Sequence, residues 1–171
     1  MSVSHQNLWA PWRMAYIEQL QDRDGGGGCF LCRYRADAEH DHENFVLCRS
    51  AHTFVLLNRF PYNNGHLLVA PLEHVAQPED LPDAVLNELT GRLRDAKRAL
   101  ERAFSAQGFN IGMNLGRCAG AGLPDHLHWH IVPRWSGDTN YMSVLGGTRV
   151  IPQSLTDAFD RLSAAMRELK L

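Results

Sequence analysis

His126-Leu127-His128-Trp129-His130 alternates imidazole and apolar side chains and runs on into Ile131-Val132-Pro133-Arg134. Such a period of two constrains the backbone strongly. In a strand it sets His126, His128 and His130 on one face and Leu127, Trp129 and Ile131 on the other, whereas a helix would splay the middle ring away from the outer two. The spacing therefore predicts a strand with a histidine face and a core face. Rings attached roughly 6 to 7 Å apart along such a face can share one phosphate or divide duties between a metal and a substrate. A neutral imidazole is a nucleophile and a protonated one an acid, and both forms exist near neutral pH. A histidine patch on a sheet edge can also be merely solvated or bind a metal. Strict alternation beside a glycine-rich loop points to chemistry instead.

Turn and breaker residues divide the rest of the chain. Phe45 to Cys48 and Thr53 to Leu57 read as short strands around a turn near Ser50-Ala51-His52. Pro61-Tyr62-Asn63-Asn64-Gly65 is a turn by composition and His66 to Pro71 a third strand, so these three are expected to pair as a meander. From Pro82 to Ala106, Val85, Leu86, Leu89, Leu93, Ala96, Leu100 and Phe104 recur at helical spacing, with Arg92, Arg94, Lys97, Arg98 and Glu101 on the other face. Gly108 is expected to close this helix, Phe109 to Leu115 to form a fourth strand, and Gly116 to Gly122 to deliver the chain to the histidine strand. Leu155 to Leu169 reads as a C-terminal helix. Strands before and after one long helix predict an antiparallel α+β fold.

With 171 residues and 44% hydrophobic content, the chain is long enough for one well-buried core and short for two. Residues 1–171 are therefore read as a single domain, with 1–28 as an N-terminal arm and glycine-rich connector. A net charge of −2 argues against a nucleic-acid backbone as the main partner and suits a small anion held by local groups. Met1 to Tyr16 has no apolar run fit for a signal peptide or membrane span, and no later window reaches that length, so a cytoplasmic location is expected. In that compartment the four cysteines are free thiols or metal ligands rather than disulfides.

Gly116-Arg117-Cys118-Ala119-Gly120-Ala121-Gly122 can turn tightly and bring backbone N–H groups up to an anion, although glycine-rich connections between strands are also common without one. Cys29-Phe30-Leu31-Cys32 has the knuckle spacing of a zinc site, which needs two more nitrogen or sulfur ligands. By composition these come from His40, His42, His74, His126 or the other cysteines, Cys48 and Cys118 reading rather as small buried or loop residues. His66 is either a satisfied structural histidine or part of the site, and composition favours the former. His5 reads as tail, His52 as turn, and His40 and His42 as solvated loop. Trp9 and Trp12 could stack on a base, but aromatics in an arm more often dock it on the domain.

The run His126 to Val132 matches the histidine-triad signature, and the chain resembles that superfamily of nucleotidyl hydrolases and transferases. Asn58-Arg59-Phe60-Pro61-Tyr62-Asn63-Asn64-Gly65-His66-Leu67-Leu68-Val69-Ala70-Pro71 is similar to the family's upstream strand-turn-strand. Leu8-Trp9-Ala10-Pro11-Trp12-Arg13, Gly108 to Gly116, and Gly137-Asp138-Thr139-Asn140 with Val150-Ile151-Pro152 resemble the bacterial diadenosine tetraphosphate phosphorylase branch, also called ATP adenylyltransferase.

The resemblance implies the histidine-triad fold: a twisted antiparallel sheet of about five strands with one long helix and a C-terminal helix. It also implies that His128 attacks the α-phosphorus of a nucleotide to form a covalent nucleotidyl-imidazole, splitting one hard displacement into two easier ones. His130 would contact the same phosphate or, when protonated, assist departure of the leaving oxygen, and His66 matches the family's fourth active-site histidine. Asn58 would lie on the ribose hydroxyls, Asn114 would face the phosphates, and N–H groups from Gly120 through Gly122 to Leu123 would stabilise charge on non-bridging oxygens. Leu57, Phe54 and Phe30 would wall the base.

Members with the two-cysteine knuckle hold a structural zinc, which here implies Cys29, Cys32, His74 and His126 as ligands and makes His126 a tether rather than a catalyst. The resemblance further implies a homodimer. Its expected activity is cleavage of dinucleoside polyphosphates such as diadenosine tetraphosphate with inorganic phosphate as acceptor. Many members carry glutamine or serine where this chain has Gly122, which leaves water as the other acceptor. Three alternatives remain: a hydrolase of dinucleoside polyphosphates or of nucleoside phosphoramidates and related AMP conjugates, a non-catalytic zinc protein that binds nucleotides, and a metallohydrolase using the triad itself as ligands.

Overall fold

The computed structural model describes residues 28–139 and 150–171. The arm bearing His5, Trp9 and Trp12, the glycine connector up to Gly27, and Asn140 lie outside the described residues. The elements in chain order are α1 (Phe30–Ala36), β1 (Val46–Arg49), β2 (Thr53–Leu57), β3 (Leu67–Pro71), α2 (Asp83–Phe104), β4 (Gly108–Gly112), β5 (Trp129–Arg134) and α3 (Leu155–Leu169). The α+β class, the five-stranded antiparallel sheet, the long helix and the C-terminal helix are as expected. Helix α1 was not foreseen, because seven residues are too few to display a helical period.

The strands lie in the order β1-β2-β3-β5-β4, every pair antiparallel. β1, β2 and β3 form the expected meander. The crossover through α2 then puts β4 at the far edge, and β5 returns between β3 and β4. β2 and β3 carry no polar alternation because both of their faces are covered. On one face Val55, Leu57, Leu67, Val69 and Ile131 pack beneath α2 and α3. On the other, Phe54, Leu56, Leu68 and Ala70 pack with Leu31 and Tyr34 of α1. His130 pairs with Leu68 across the ladder, so its side chain belongs to the α1 face, away from the long helix.

Several boundaries differ from expectation for local reasons. The histidine strand begins at Trp129 rather than His126. Ahead of it the Leu127 N–H donates to the Val75 carbonyl (2.6 Å). The His126 ring takes the Pro71 carbonyl at the end of β3 (2.9 Å), so no ladder forms there. β4 ends at Gly112, not Leu115. The long helix stops at Phe104, where Ser105 adopts the left-handed conformation (φ 52°) and its N–H donates to the Glu101 carbonyl. Glycine usually fills that position. Here Gly108 instead opens β4, and nothing in the sequence marked serine as the stop.

Candidate active site and metal site

His66 leaves the Pro61-Gly65 turn directly into β3, and the turn is held tightly. Gly65 has φ 71°, and a Cβ there would lie 2.9 Å from the Phe104 ring, so only glycine fits. On the other side, Asn63 Nδ2 donates to Asp138 Oδ2 (2.9 Å) and to the Pro133 carbonyl (3.2 Å), tying the turn to the end of β5. His66, wholly buried, reaches His130 with Nε2 3.0 Å from Nδ1. The His128 and His130 rings lie 4.9 Å apart at 70°. The fold thereby brings the fourth histidine directly against His130, beside the histidine row.

Hydrogen bonds fix which nitrogen carries hydrogen on each ring. The Tyr62 N–H (3.1 Å) and Asn58 Nδ2 (3.2 Å) both point at His66 Nδ1, which can only accept. His66 Nε2–H consequently donates to His130 Nδ1, leaving the His130 hydrogen on Nε2. His128 Nδ1 lies 2.8 Å from the His126 carbonyl and must donate to it, so His128 Nε2 carries a free lone pair. Burial, followed by the neighbouring imidazoles, pushes His66 down to about 3 and His130 to about 4, and burial also lowers His128. The three rings are neutral at pH 7. In this state His128 Nε2 can act as a nucleophile and His130 Nε2–H as a hydrogen-bond donor.

The remaining expected contacts are placed unevenly. Asn58 spends its side chain within the protein, since Oδ1 accepts the Phe60 N–H (3.0 Å) while Nδ2 faces His66. Asn114 is half-buried just beyond β4. In the glycine-rich loop the Gly120 N–H donates to the Arg117 carbonyl (3.0 Å) and the Ala121 N–H to that of Gly116 (3.3 Å), so the expected cradle is partly closed on itself. Gly122 is exposed, and Leu123 packs against the α1-side core. Phe54 and Leu57, expected as walls for a base, are 0% and 1% exposed and belong to opposite cores, which leaves no surface on either for stacking. Phe30, half-buried, lies edge-on to Tyr34. Sequence reasoning missed Tyr62, which it took for a turn residue, although its ring packs on both His66 and His130.

Of the candidate metal ligands, Cys29, Cys32, His74 and His126 converge, with ligand atoms all within 4.8 Å of one another, and they can hold a metal ion. Cys29 Sγ lies 3.1 Å from His126 Nδ1, Cys32 Sγ 3.1 Å from His74 Nδ1 and 3.5 Å from His126 Nδ1. A tetrahedral zinc ion would separate sulfur and nitrogen ligands by about 3.5 Å. His126 Nε2–H is held by the Pro71 carbonyl, which leaves the Nδ1 lone pair facing the thiols, the usual tie that orients a ligating imidazole. Burial raises the Cys29 thiol to about 11, so its ligating thiolate form requires a cation beside it. His40 instead bonds Asp37, and His42 packs on Phe159, so neither joins the cluster. With His126 turned to the cysteines, the three triad rings do not converge on one ion, and among the described residues no other such cluster occurs.

The HIT domain family matches residues 39–137. AP-4-A phosphorylase of Mycobacterium tuberculosis (strain CDC 1551 / Oshkosh) is 39% identical over 155 residues, covering 89% of this chain and 80% of that one. The asymmetrical bis(5'-nucleosyl)-tetraphosphatase of Schizosaccharomyces pombe is 36% identical over 93 residues, covering 54% of this chain and 50% of its own length. Among solved structures, a Zn-bound histidine triad family protein from Mycobacterium smegmatis superposes with a TM-score of 0.68 at 26% identity, covering 84% of this chain and 96% of that one.

Proposed function

The chain belongs to the HIT domain family, and from that premise we propose that it is a nucleotidyltransferase cleaving dinucleoside polyphosphates through His128, with inorganic phosphate as acceptor. The observation that carries this reading is the His128 Nδ1–H bond to the His126 carbonyl, which leaves Nε2 unprotonated at the middle of the histidine row. Nε2 attacks the α-phosphorus, the N–P bond forming as the P–O bond to the leaving nucleoside polyphosphate breaks and that oxygen departs with the electron pair. The positive charge gained by the ring is met by the His126 carbonyl, while His130 Nε2–H hydrogen-bonds the oxygen on which charge develops. An oxygen of phosphate then attacks the same phosphorus and frees His128, so diadenosine tetraphosphate would yield ATP and ADP.

Asn114, Gly122 and Leu123 are the proposed phosphate contacts, with Gly120 joining when its bond to Arg117 opens. Asn58 reaches a ribose only by sharing the atoms that now hold His66 and Phe60, and we assign it chiefly to His66. The likeness to the Mycobacterium tuberculosis phosphorylase supports the substrate class and the acceptor. The likeness to the Schizosaccharomyces pombe tetraphosphatase supports a second reading, in which water takes the place of phosphate.

Incubating the protein with diadenosine tetraphosphate, with and without inorganic phosphate, decides between them. ATP plus ADP only when phosphate is present is the expected result, whereas AMP plus ATP in both arms would make the enzyme a hydrolase. No cleavage would move the substrate to nucleoside phosphoramidates and AMP conjugates, and inactivity there as well would leave a nucleotide-binding module.

Zinc is the proposed ion for Cys29, Cys32, His74 and His126, acting by fixing the chain around His126 and not as a Lewis acid. Among the described residues no helix is long and apolar enough to cross a membrane, and we assign the protein to the cytoplasm. We also assign a homodimer, formed across β4, which among the described residues is an edge strand of the sheet and carries Ile111 at 47% exposure. Sedimentation at twice the monomer mass is expected, and a monomer at all concentrations would refute it.

A further inference from the structure

Tyr62 touches the site in two separate ways. Its backbone N–H points at His66 Nδ1 (3.1 Å), and its ring lies 4.6 Å from the His66 ring at 36° and 5.6 Å from the His130 ring at 26°. The turn carrying it is fastened on both sides, by Asn63 to Asp138 and Pro133 and by Gly65 against Phe104. A side chain on so well-held a turn has little freedom to swing, and a ring stacked on two imidazoles restricts theirs in turn.

We propose that Tyr62 is a positioning residue for the His66–His130 pair, its N–H fixing which His66 nitrogen carries hydrogen and its ring holding both imidazoles so that His130 presents Nε2–H to the leaving oxygen. The inference rests on the role assigned to His130 in the proposed reaction. A tautomer of His66 with hydrogen on Nδ1 would set N–H against the N–H of Tyr62, and that clash keeps the hydrogen on Nε2. A half-turn of either imidazole about its Cβ–Cγ bond would also exchange the bonding nitrogens for carbons and break the 3.0 Å His66–His130 bond, and the tyrosine ring lies across the space such a turn would sweep.

The backbone N–H survives every substitution at 62 except proline, so side-chain variants isolate the ring. Tyr62→Phe keeps the ring and is expected to recover most of the kcat that loss of the ring removes. Tyr62→Ala is expected to lower kcat about 10- to 100-fold, as small misplacements of a catalytic group do, with KM within about threefold. Nitrogen-15 NMR of the intact protein without substrate is expected to show single Nε2–H tautomers for His66 and His130 in the parent and Tyr62→Phe, and in Tyr62→Ala a His66 tautomer still held by the N–H at 62 beside averaged signals for His130. At 46% exposure the tyrosine is outside both cores, and Tyr62→Leu, which keeps bulk without an aromatic face, is the second variant if the alanine protein is poorly folded. An unchanged kcat, a change confined to KM, or unaltered His130 signals on losing the ring overturns the proposal. The NMR arm needs no substrate, so it is decided even if diadenosine tetraphosphate is not cleaved and the proposed function falls.

Discussion

His128→Ala is expected to lose turnover by roughly 10⁴-fold or more, the scale seen when a covalent nucleophile is removed, while nucleotide binding stays within a few-fold of the parent. Chemistry and binding separate because the phosphate contacts proposed for Asn114, Gly122 and Leu123 come from the β4–β5 connection, not from the imidazole. The truncation also leaves the His126 carbonyl without its 2.8 Å donor, a loss of about 1–3 kcal/mol of stability if water does not replace it. His126 itself stays anchored through Nε2 to Pro71, so the metal-site geometry is expected to persist. Single-turnover assays with radiolabelled substrate and calorimetric titration of a non-cleavable analogue check both halves. Label trapped on the parent protein as an acid-labile adduct, and absent from the alanine variant, is the signature of the N–P bond. Turnover persisting in His128→Ala would remove His128 from the nucleophile's place.

The fold was legible where periodicity ran long enough to speak. The long helix, the C-terminal helix and the meander each showed in spacing, because apolar residues at intervals of 3.6 or 2 report which face is buried. What escaped was decided by single contacts between distant residues. Ser105 closes the long helix with no local glycine to announce it. His126 leaves the strand because the Pro71 carbonyl and the Cys29 and Cys32 thiols claim its ring, partners at separations of 55, 97 and 94 residues. Alternation in the sequence was therefore right about the faces, with Leu127, Trp129 and Ile131 in the core beneath the helices and His126 turned with His130 to the α1 side, and wrong in extending the strand itself back to His126. Tyr62 illustrates the same limit from the other side. In the run Pro61-Tyr62-Asn63-Asn64-Gly65 every neighbour signals a turn, and only the folded chain brings the ring onto His66 and His130.

The cysteine pair should matter to the fold first and to the chemistry through it. In the Cys29→Ser, Cys32→Ser protein, bound zinc is expected to fall from about one ion per chain to a small fraction of that, since hydroxyls are poor zinc ligands beside thiolates. The melting temperature should drop on the order of 10 °C, because ligand binding to the native state alone adds to stability and a chain of this size shifts by about 2–4 °C per kcal/mol. Activity should fall as well, for a reason the geometry supplies. With the cluster gone, His126 keeps its ring bond to Pro71 but loses its ties to α1, so the His126 carbonyl that orients His128 Nδ1–H is held less firmly. Restoring order from outside separates the two effects. At low temperature, where the variant is mostly folded, kcat should recover part of the way toward the parent while zinc content stays low. A metallohydrolase would behave oppositely, losing all turnover with its metal while melting unchanged. Unaltered zinc stoichiometry in the double variant would mean that Cys29 and Cys32 are not the site at all, and the loss of stability would then have to be sought in the packing of Leu31 and Tyr34, which α1 buries against β2 and β3.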